Sequence, residues 1–238
     1  MLNGSPRANG NTSVALKEME QVFKDNGIET EIILVGNKDI RGCIACGSCY
    51  EKGKCVFNDM VNELALKFEE ADGLVVASPV YYASANATLI ACLDRLFYSS
   101  HFDKTMKVGA SVVCARRGGC SATFDELNKY FTISGMPVAS SQYWNMVHGN
   151  TPEEVRQDKE GLQTMRQLAR NLLWLLQCIA AGDAAGVDQG VGPFLAPDLG
   201  HDAVAGHAGH VVGDRDPLLD QAVEECGFSD IGAADEGH

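Results

Sequence analysis

The sequence predicts an α/β protein, a parallel, doubly wound sheet of five strands with helices on both faces. Three observations carry this. Apolar runs alternate with amphipathic segments of helical period along residues 1–182. The runs are largely continuous rather than alternating, as strands covered on both faces require. And 45% apolar against 21% charged residues in a chain of 238 supplies a sizeable core.

The elements follow in order. Ser13–Asp25 spaces Val14, Leu16, Met19, Val22 and Phe23 as a helix does, and Asn26-Gly27 ends it. Ile28–Val35 becomes continuously apolar and reads as a strand. Asp59 offers an N-cap to an amphipathic helix over Met60–Glu70. Gly73–Ser78 is a buried strand, Ala85–Tyr98 a helix, Val108–Ala115 a strand, Thr123–Ser134 a helix and Met136–Ser140 the last strand. One long helix is expected over Pro152–Ala181. Only Met1, Leu2 and Asn3 precede the first loop, and three residues at about 3.3 Å each are too few for a central strand. The first strand is therefore expected to be truncated.

Charge divides the chain. Residues 183–238 hold twelve acidic residues and one base, Arg215, so most of the net charge of -13 belongs to them. They also contain no Lys, ten of the 25 Gly and four of the six His, with little periodicity before Pro217–Cys226. A segment of this kind is expected to be a poorly ordered acidic tail to a domain over 1–182, and His201, His207 and His210 are too irregularly spaced to suggest a metal site. The acidity argues against nucleic acid and anionic membranes as partners. No span of 18 apolar residues and no basic, apolar leader occurs, so a cytoplasmic protein is expected.

In a doubly wound sheet, ligands bind beyond the carboxyl ends of the strands. Three loops fall there. Gly4–Ser13 joins the strand remnant to a helix, and its amides and hydroxyls face the positive end of the helix dipole, a phosphate-binding arrangement. It is neither a Walker loop nor G-x-G-x-x-G, which favours a monophosphate. Ser78–Asn86 contains Pro79, which fixes the backbone, and Tyr81 and Tyr82, flat faces suited to a planar ring, with one of the two equally suited to the core. Arg116-Arg117-Gly118-Gly119 follows the fourth strand, and glycine there permits close backbone approach. Farther on, Gln142–Gly149 holds His148, a candidate proton donor. Asp94-Arg95 reads as a structural ion pair.

Cys43, Cys46, Cys49 and Cys55 form C-x2-C-x2-C-x5-C within 13 residues, in a cysteine-rich insertion over 36–58. The spacing leaves three readings open: an iron-sulfur cluster, a tetrahedral zinc site, or free redox-active thiols. Three cysteines in such short succession resemble a ferredoxin run more than paired zinc knuckles. Cys92, Cys114, Cys120, Cys178 and Cys226 read as structural or incidental.

Gly4-Ser5-Pro6-Arg7 followed by Asn11-Thr12, then Ser78-Pro79-Val80-Tyr81 with Leu93-Asp94-Arg95 downstream, resembles the flavodoxin-like NAD(P)H-dependent FMN reductases. The cysteine motif is similar to that of their iron-sulfur flavoprotein branch. The resemblance implies a flavodoxin-like fold and FMN, its phosphate held by Ser5, Arg7, Asn11, Thr12 and Ser13, its ring approached by Pro79, Val80, Tyr81, Tyr82, Arg117, Gly118 and Gly119. It implies NAD(P)H as co-substrate, a small electron acceptor of quinone, nitro, azo or flavin type, and a homodimer or homotetramer. It also implies a [4Fe-4S] cluster on the four cysteines, with ferredoxin as the alternative electron source. FMN performs the chemistry in such a scheme, so no side chain is named as catalytic.

Overall fold

A computed structural model of the chain describes residues 1–184. The expectations for the acidic tail, its histidines and Pro217–Cys226 lie outside the described residues, apart from Asp183 and Ala184 at the end of the last helix. The elements are β1 Leu2–Asn3, α1 Asn11–Asp25, β2 Ile33–Leu34, α2 Ser48–Lys52, α3 Met60–Glu70, β3 Gly73–Tyr81, β4 Ser84–Ala85, α4 Ala87–Ser99, β5 Val108–Ala115, α5 Cys120–Ile133, β6 Met146–His148, α6 Pro152–Gln157 and α7 Lys159–Ala184.

The sheet runs β2-β1-β3-β5-β6 with every neighbour parallel, and β4 folds back on β3 as a short antiparallel strand. Without that hairpin the order is the flavodoxin-like one, in which the chain reverses its direction of winding between β1 and β3 and ligands bind at that switch point. β5 is buried along its whole length, and Val76 and Ala77 of β3 are equally enclosed, as central strands covered on both faces must be. Residues Met1–Gln177 form one compact unit, and every site described below lies within it. No helix among the described residues is long and apolar enough to cross a membrane.

Leu2–Asn3, expected to be too short for the central strand, nevertheless occupies it, pairing with Ile33–Leu34 on one side and Val76–Ala77 on the other. Of the strand predicted over Ile28–Val35, only Ile33–Leu34 is paired, in register with Leu2–Asn3. Below β1, a cavity of about 180 Å³ opens against Leu2, Ile33, Leu64, Phe68 and Leu74.

Two further expectations are corrected. Of the strand expected at Met136–Ser140, only Val138 bridges the sheet, opposite Gly109, and the edge position is taken by Met146–His148. The single helix expected over 152–181 breaks at Asp158, whose side chain leaves the helical path to accept the amides of His148 (2.7 Å) and Gly161 (2.9 Å).

Candidate functional site

The first loop is fastened before it can bind anything. Gly4 donates its amide to Ala77 O (2.7 Å), so β1 delivers the loop directly beside the end of β3. Asn3 Oδ1 accepts the Ser5 amide (2.9 Å), Asn3 Nδ2 donates to Ser13 Oγ (2.9 Å), and Ser13 Oγ donates to Ala8 O (2.6 Å). Asn11 Nδ2 reaches across to Gly149 O (2.8 Å), tying this loop to the segment after β6. The hydroxyl of Ser13 and the amide nitrogen of Asn11 are thus engaged in shaping the loop.

The N-cap of α1 is Gly10, which has no side chain to cap the helix; the Ser13 amide donates to Gly10 O (3.0 Å), and the amides of Asn11 and Thr12 ahead of it have no intrahelical acceptor. Thr12 sits in that turn, 1% exposed, with its Oγ1 buried and without a hydrogen-bond partner. A buried hydroxyl left so costs about 1–3 kcal/mol. An anion at this helix end satisfies the hydroxyl and the amides together. In the same loop Ser5 is buried, its Oγ accepting the Arg7 amide (3.1 Å), and Arg7 is exposed.

The second and third loops meet each other. Tyr82 and Ala83 make the two-residue turn between β3 and β4 with φ of +51° and +59°. Both tyrosines are on the surface, Tyr82 fully so, so the core position left open for one of them is taken by neither. Gly119, at φ +89°, closes against that turn: a Cβ there would lie 2.9 Å from Ala83 Cα and from Val80 Cγ1. Glycine is required twice over, by dihedral and by space. Pro79 and Val80 are half-buried, and Arg116, Arg117 and Gly118 are exposed on the same edge. Ser84 Oγ (3.0 Å) and the amide of Ala85 (2.9 Å) both donate to Glu126, which holds the hairpin to α5.

At the neighbouring edge, Cys120 Sγ lies 3.8 Å from His148 Nε2, and His148 Nδ1 lies 3.9 Å from Asp158 Oδ2. Sequence reasoning singled out His148 but treated Cys120 as incidental and missed Asp158. Burial pushes the Cys120 thiol up.

The cysteine insertion forms a second centre. Cys43, Cys46, Cys49 and Cys55 all line one cavity of about 340 Å³, together with Phe57, Arg95 and Ser99. Short α2 sits between Gly47 (φ +70°) and Gly53 (φ +65°), so the chain doubles back on both sides of Cys49. Two sulfurs already accept N–H groups: Cys43 Sγ from the Ala45 amide (3.4 Å) and Cys55 Sγ from Arg95 Nε (3.2 Å). The Cys55 backbone is held by Asn62 of α3, whose amide accepts from Cys55 N (3.0 Å) and donates to Cys55 O (3.2 Å). Among the described residues no three thiols, imidazoles or carboxylates gather at one single-ion position. A tetrahedral zinc site needs its sulfurs at about 2.3 Å from one point.

Arg95 does not pair with Asp94. Asp94 accepts the Tyr130 hydroxyl (2.6 Å), whereas Arg95, 1% exposed, grips Asp59 through NH1 and NH2, both at 2.7 Å, and donates NH1 to Arg41 O (3.2 Å). Partial burial pushes the Asp59 carboxyl upward, but the hydrogen bonds from Arg95 and the Val61 amide outweigh it and hold the group below its ordinary value. In contrast, burial drives the Cys92 thiol, beneath this ion pair, to about 12.

The profile of a family described as NADPH-dependent FMN reductase matches residues 1–151. An iron-sulfur flavoprotein of Methanocaldococcus jannaschii is 33% identical over 186 residues, covering 75% of this chain and 96% of that one. Another from Methanosarcina thermophila is 33% identical over 183 residues, covering 75% and 94%. Among solved structures, RosB with a bound intermediate, 8-demethyl-8-formylriboflavin-5′-phosphate, matches at TM-score 0.60 and 17% identity over 90% of this chain and 96% of that one, a likeness of fold.

Proposed function

The chain belongs to the NADPH-dependent FMN reductase family, in its iron-sulfur flavoprotein branch, and is a flavoprotein oxidoreductase; from that premise we propose that it moves electrons from NAD(P)H through FMN to a small acceptor of quinone, nitro, azo or flavin type. The observation that carries the flavin reading is the uncapped first turn of α1 with the buried, unpartnered Thr12 hydroxyl. Thr12 Oγ1, the first-turn amides, Ser5 and Arg7 hold the phosphate, the arginine by charge-assisted bonds. Ser13 and Asn11 act mainly by keeping the loop in shape. The Pro79–Tyr82 hairpin and the Arg116–Gly119 loop border the ring, with backbone amides available to its polar edge. Bound FMN supplies the redox chemistry, accepting a hydride and returning electrons singly or in pairs.

The four cysteines hold a [4Fe-4S] cluster. What supports this is the cavity that all four cysteines line, with N–H groups already directed at two of the sulfurs. Such a cluster supplies one-electron transfer, which also suits a second reading in which reduced ferredoxin, rather than NAD(P)H, is the electron source. The protein acts in the cytoplasm as a homodimer or homotetramer.

The test is iron, sulfide, zinc and FMN content of anaerobically purified protein, with spectra before and after NADH, NADPH and reduced ferredoxin. FMN bleached by a reduced nicotinamide supports the first reading, and bleaching by ferredoxin alone the second. Protein that takes up no FMN overturns both.

A further inference from the structure

Arg95 and Ser99 stand one helical turn apart on α4, and both reach the cavity lined by the four cysteines. We propose that these two side chains donate hydrogen bonds to sulfur at the cysteine centre and thereby raise its reduction potential. The inference rests on the reading of those cysteines as cluster ligands.

The guanidinium is held so that Nε–H is left for sulfur. NH1 serves Asp59 Oδ2 and Arg41 O, NH2 serves Asp59 Oδ1, and the group lies 4.9 Å from the centre of the Phe57 ring. Nε–H then points at Cys55 Sγ. The fork cannot swing away without breaking a bidentate pair in a site where the arginine is 1% exposed. The arrangement is a positioned donor rather than a diffuse charge, because Asp59 balances the arginine.

Ser99 supplies the independent observation. It is 3% exposed, its Oγ is buried, and no protein group accepts from it. Carbonyls one turn back are the usual escape for a helical hydroxyl, and it does not take it. Its neighbour Ser100 also has a buried, unpartnered Oγ but is not part of the cavity wall, so it serves as a control. A buried serine O–H with no protein acceptor, on a residue that lines the thiol cavity, is a donor available to sulfur there.

Added electron density at an iron-sulfur centre spreads onto its sulfurs, so donors to them stabilise the reduced form more than the oxidised form. Losing a donor therefore lowers the potential without removing a ligand. Arg95 and Ser99 are positioning and tuning residues, and the property they set is a potential, not a bond to the metal.

The experiment is a mediated redox titration of anaerobically purified wild type, Ser99→Ala, Ser100→Ala and Arg95→Lys, with the reduced centre followed by electron paramagnetic resonance and iron and sulfide assayed on each. Ser99→Ala keeps wild-type iron and sulfide, and its oxidised-to-reduced ratio at a fixed electrode potential rises about threefold, whereas Ser100→Ala stays at the wild-type value. Arg95→Lys, which keeps the charge and loses Nε, shifts the ratio about tenfold, equivalent to about 59 mV for one electron. A metal-replete Ser99→Ala whose midpoint equals that of wild type and Ser100→Ala overturns the inference. Wild-type protein without iron and sulfide overturns the cysteine reading itself, and is told apart by the metal assay before any potential is measured.

Discussion

Asp59→Asn isolates the charge pair beneath the cysteine centre. Asparagine is as good an N-cap as aspartate, so α3 keeps its cap at the Val61 amide, and the volume is unchanged. What goes is the partner of an arginine 1% exposed, held by two bonds of 2.7 Å. Removing one member of a buried pair costs about 3–5 kcal/mol, and because the Asp59 side chain is 26% exposed the lower end applies. For a domain of this size, about 3 kcal/mol corresponds to a fall in Tm of about 6–12 °C. The assay is thermal unfolding by circular dichroism, at pH 7 and then in steps toward acid. The folded Asp59 carboxyl lies below its unfolded value, so its contribution is complete above the unfolded pKa of about 3.9 and is lost as pH falls through the folded pKa. The gap between wild type and variant therefore closes below about pH 4. A variant within about 2 °C of wild type at pH 7, or a gap that widens in acid, refutes the reasoning.

Three other outcomes follow from the geometry. Thr12→Val, equal in shape, weakens FMN binding about 10-fold or more in a fluorescence titration of flavin-free protein, the worth of a hydrogen bond to a charged group, while riboflavin, which lacks the phosphate, binds as to wild type; equal losses for the two flavins would contradict a phosphate role. Gly119→Ala, which places a methyl 2.9 Å from Ala83 Cα at a φ of +89°, lowers Tm and weakens FMN binding together, and an alanine variant with both unchanged counts against the contact between the two loops. Timed alkylation of metal-free folded protein at pH 7.5 modifies exposed Cys43 and Cys46 well before Cys92 and Cys114, whose thiols burial holds near 12, as peptide mass mapping will read.

Much of this was legible in the residues, and the losses have physical causes. Val108–Ala115 is a strand with the predicted bounds because its apolar run is unbroken and both neighbours in the sheet are available. Asp59 caps its helix as read, since capping is local. Ile28–Val35 is a strand only at Ile33–Leu34, because strand formation depends on a paired partner and not on apolar character alone. Met146–His148 carries almost no strand signal of its own and is placed by pairing with Val113–Ala115. Arg95 was misread because a helix face is set by tertiary packing. It lies on the buried stripe of Leu89, Cys92, Leu96 and Ser99, and a charge in that stripe was the available sign that it serves something inside. The contacts of Cys120 and Asp158 with His148 cross 28 and 10 residues, distances that no local pattern encodes.

The turn at Tyr82-Ala83 carries one more consequence. Two successive non-glycine residues in the left-handed region cost about 1–2 kcal/mol each, and they persist because Gly119 and the Glu126 clasp on β4 leave the hairpin no second shape. A ligand arriving at this edge meets a wall already set by folding rather than a loop that must be ordered on contact. Entropy that a slack loop would lose on each binding event is lost once, when the chain folds, so tightness at this edge depends on how stably the rest of the domain holds the turn.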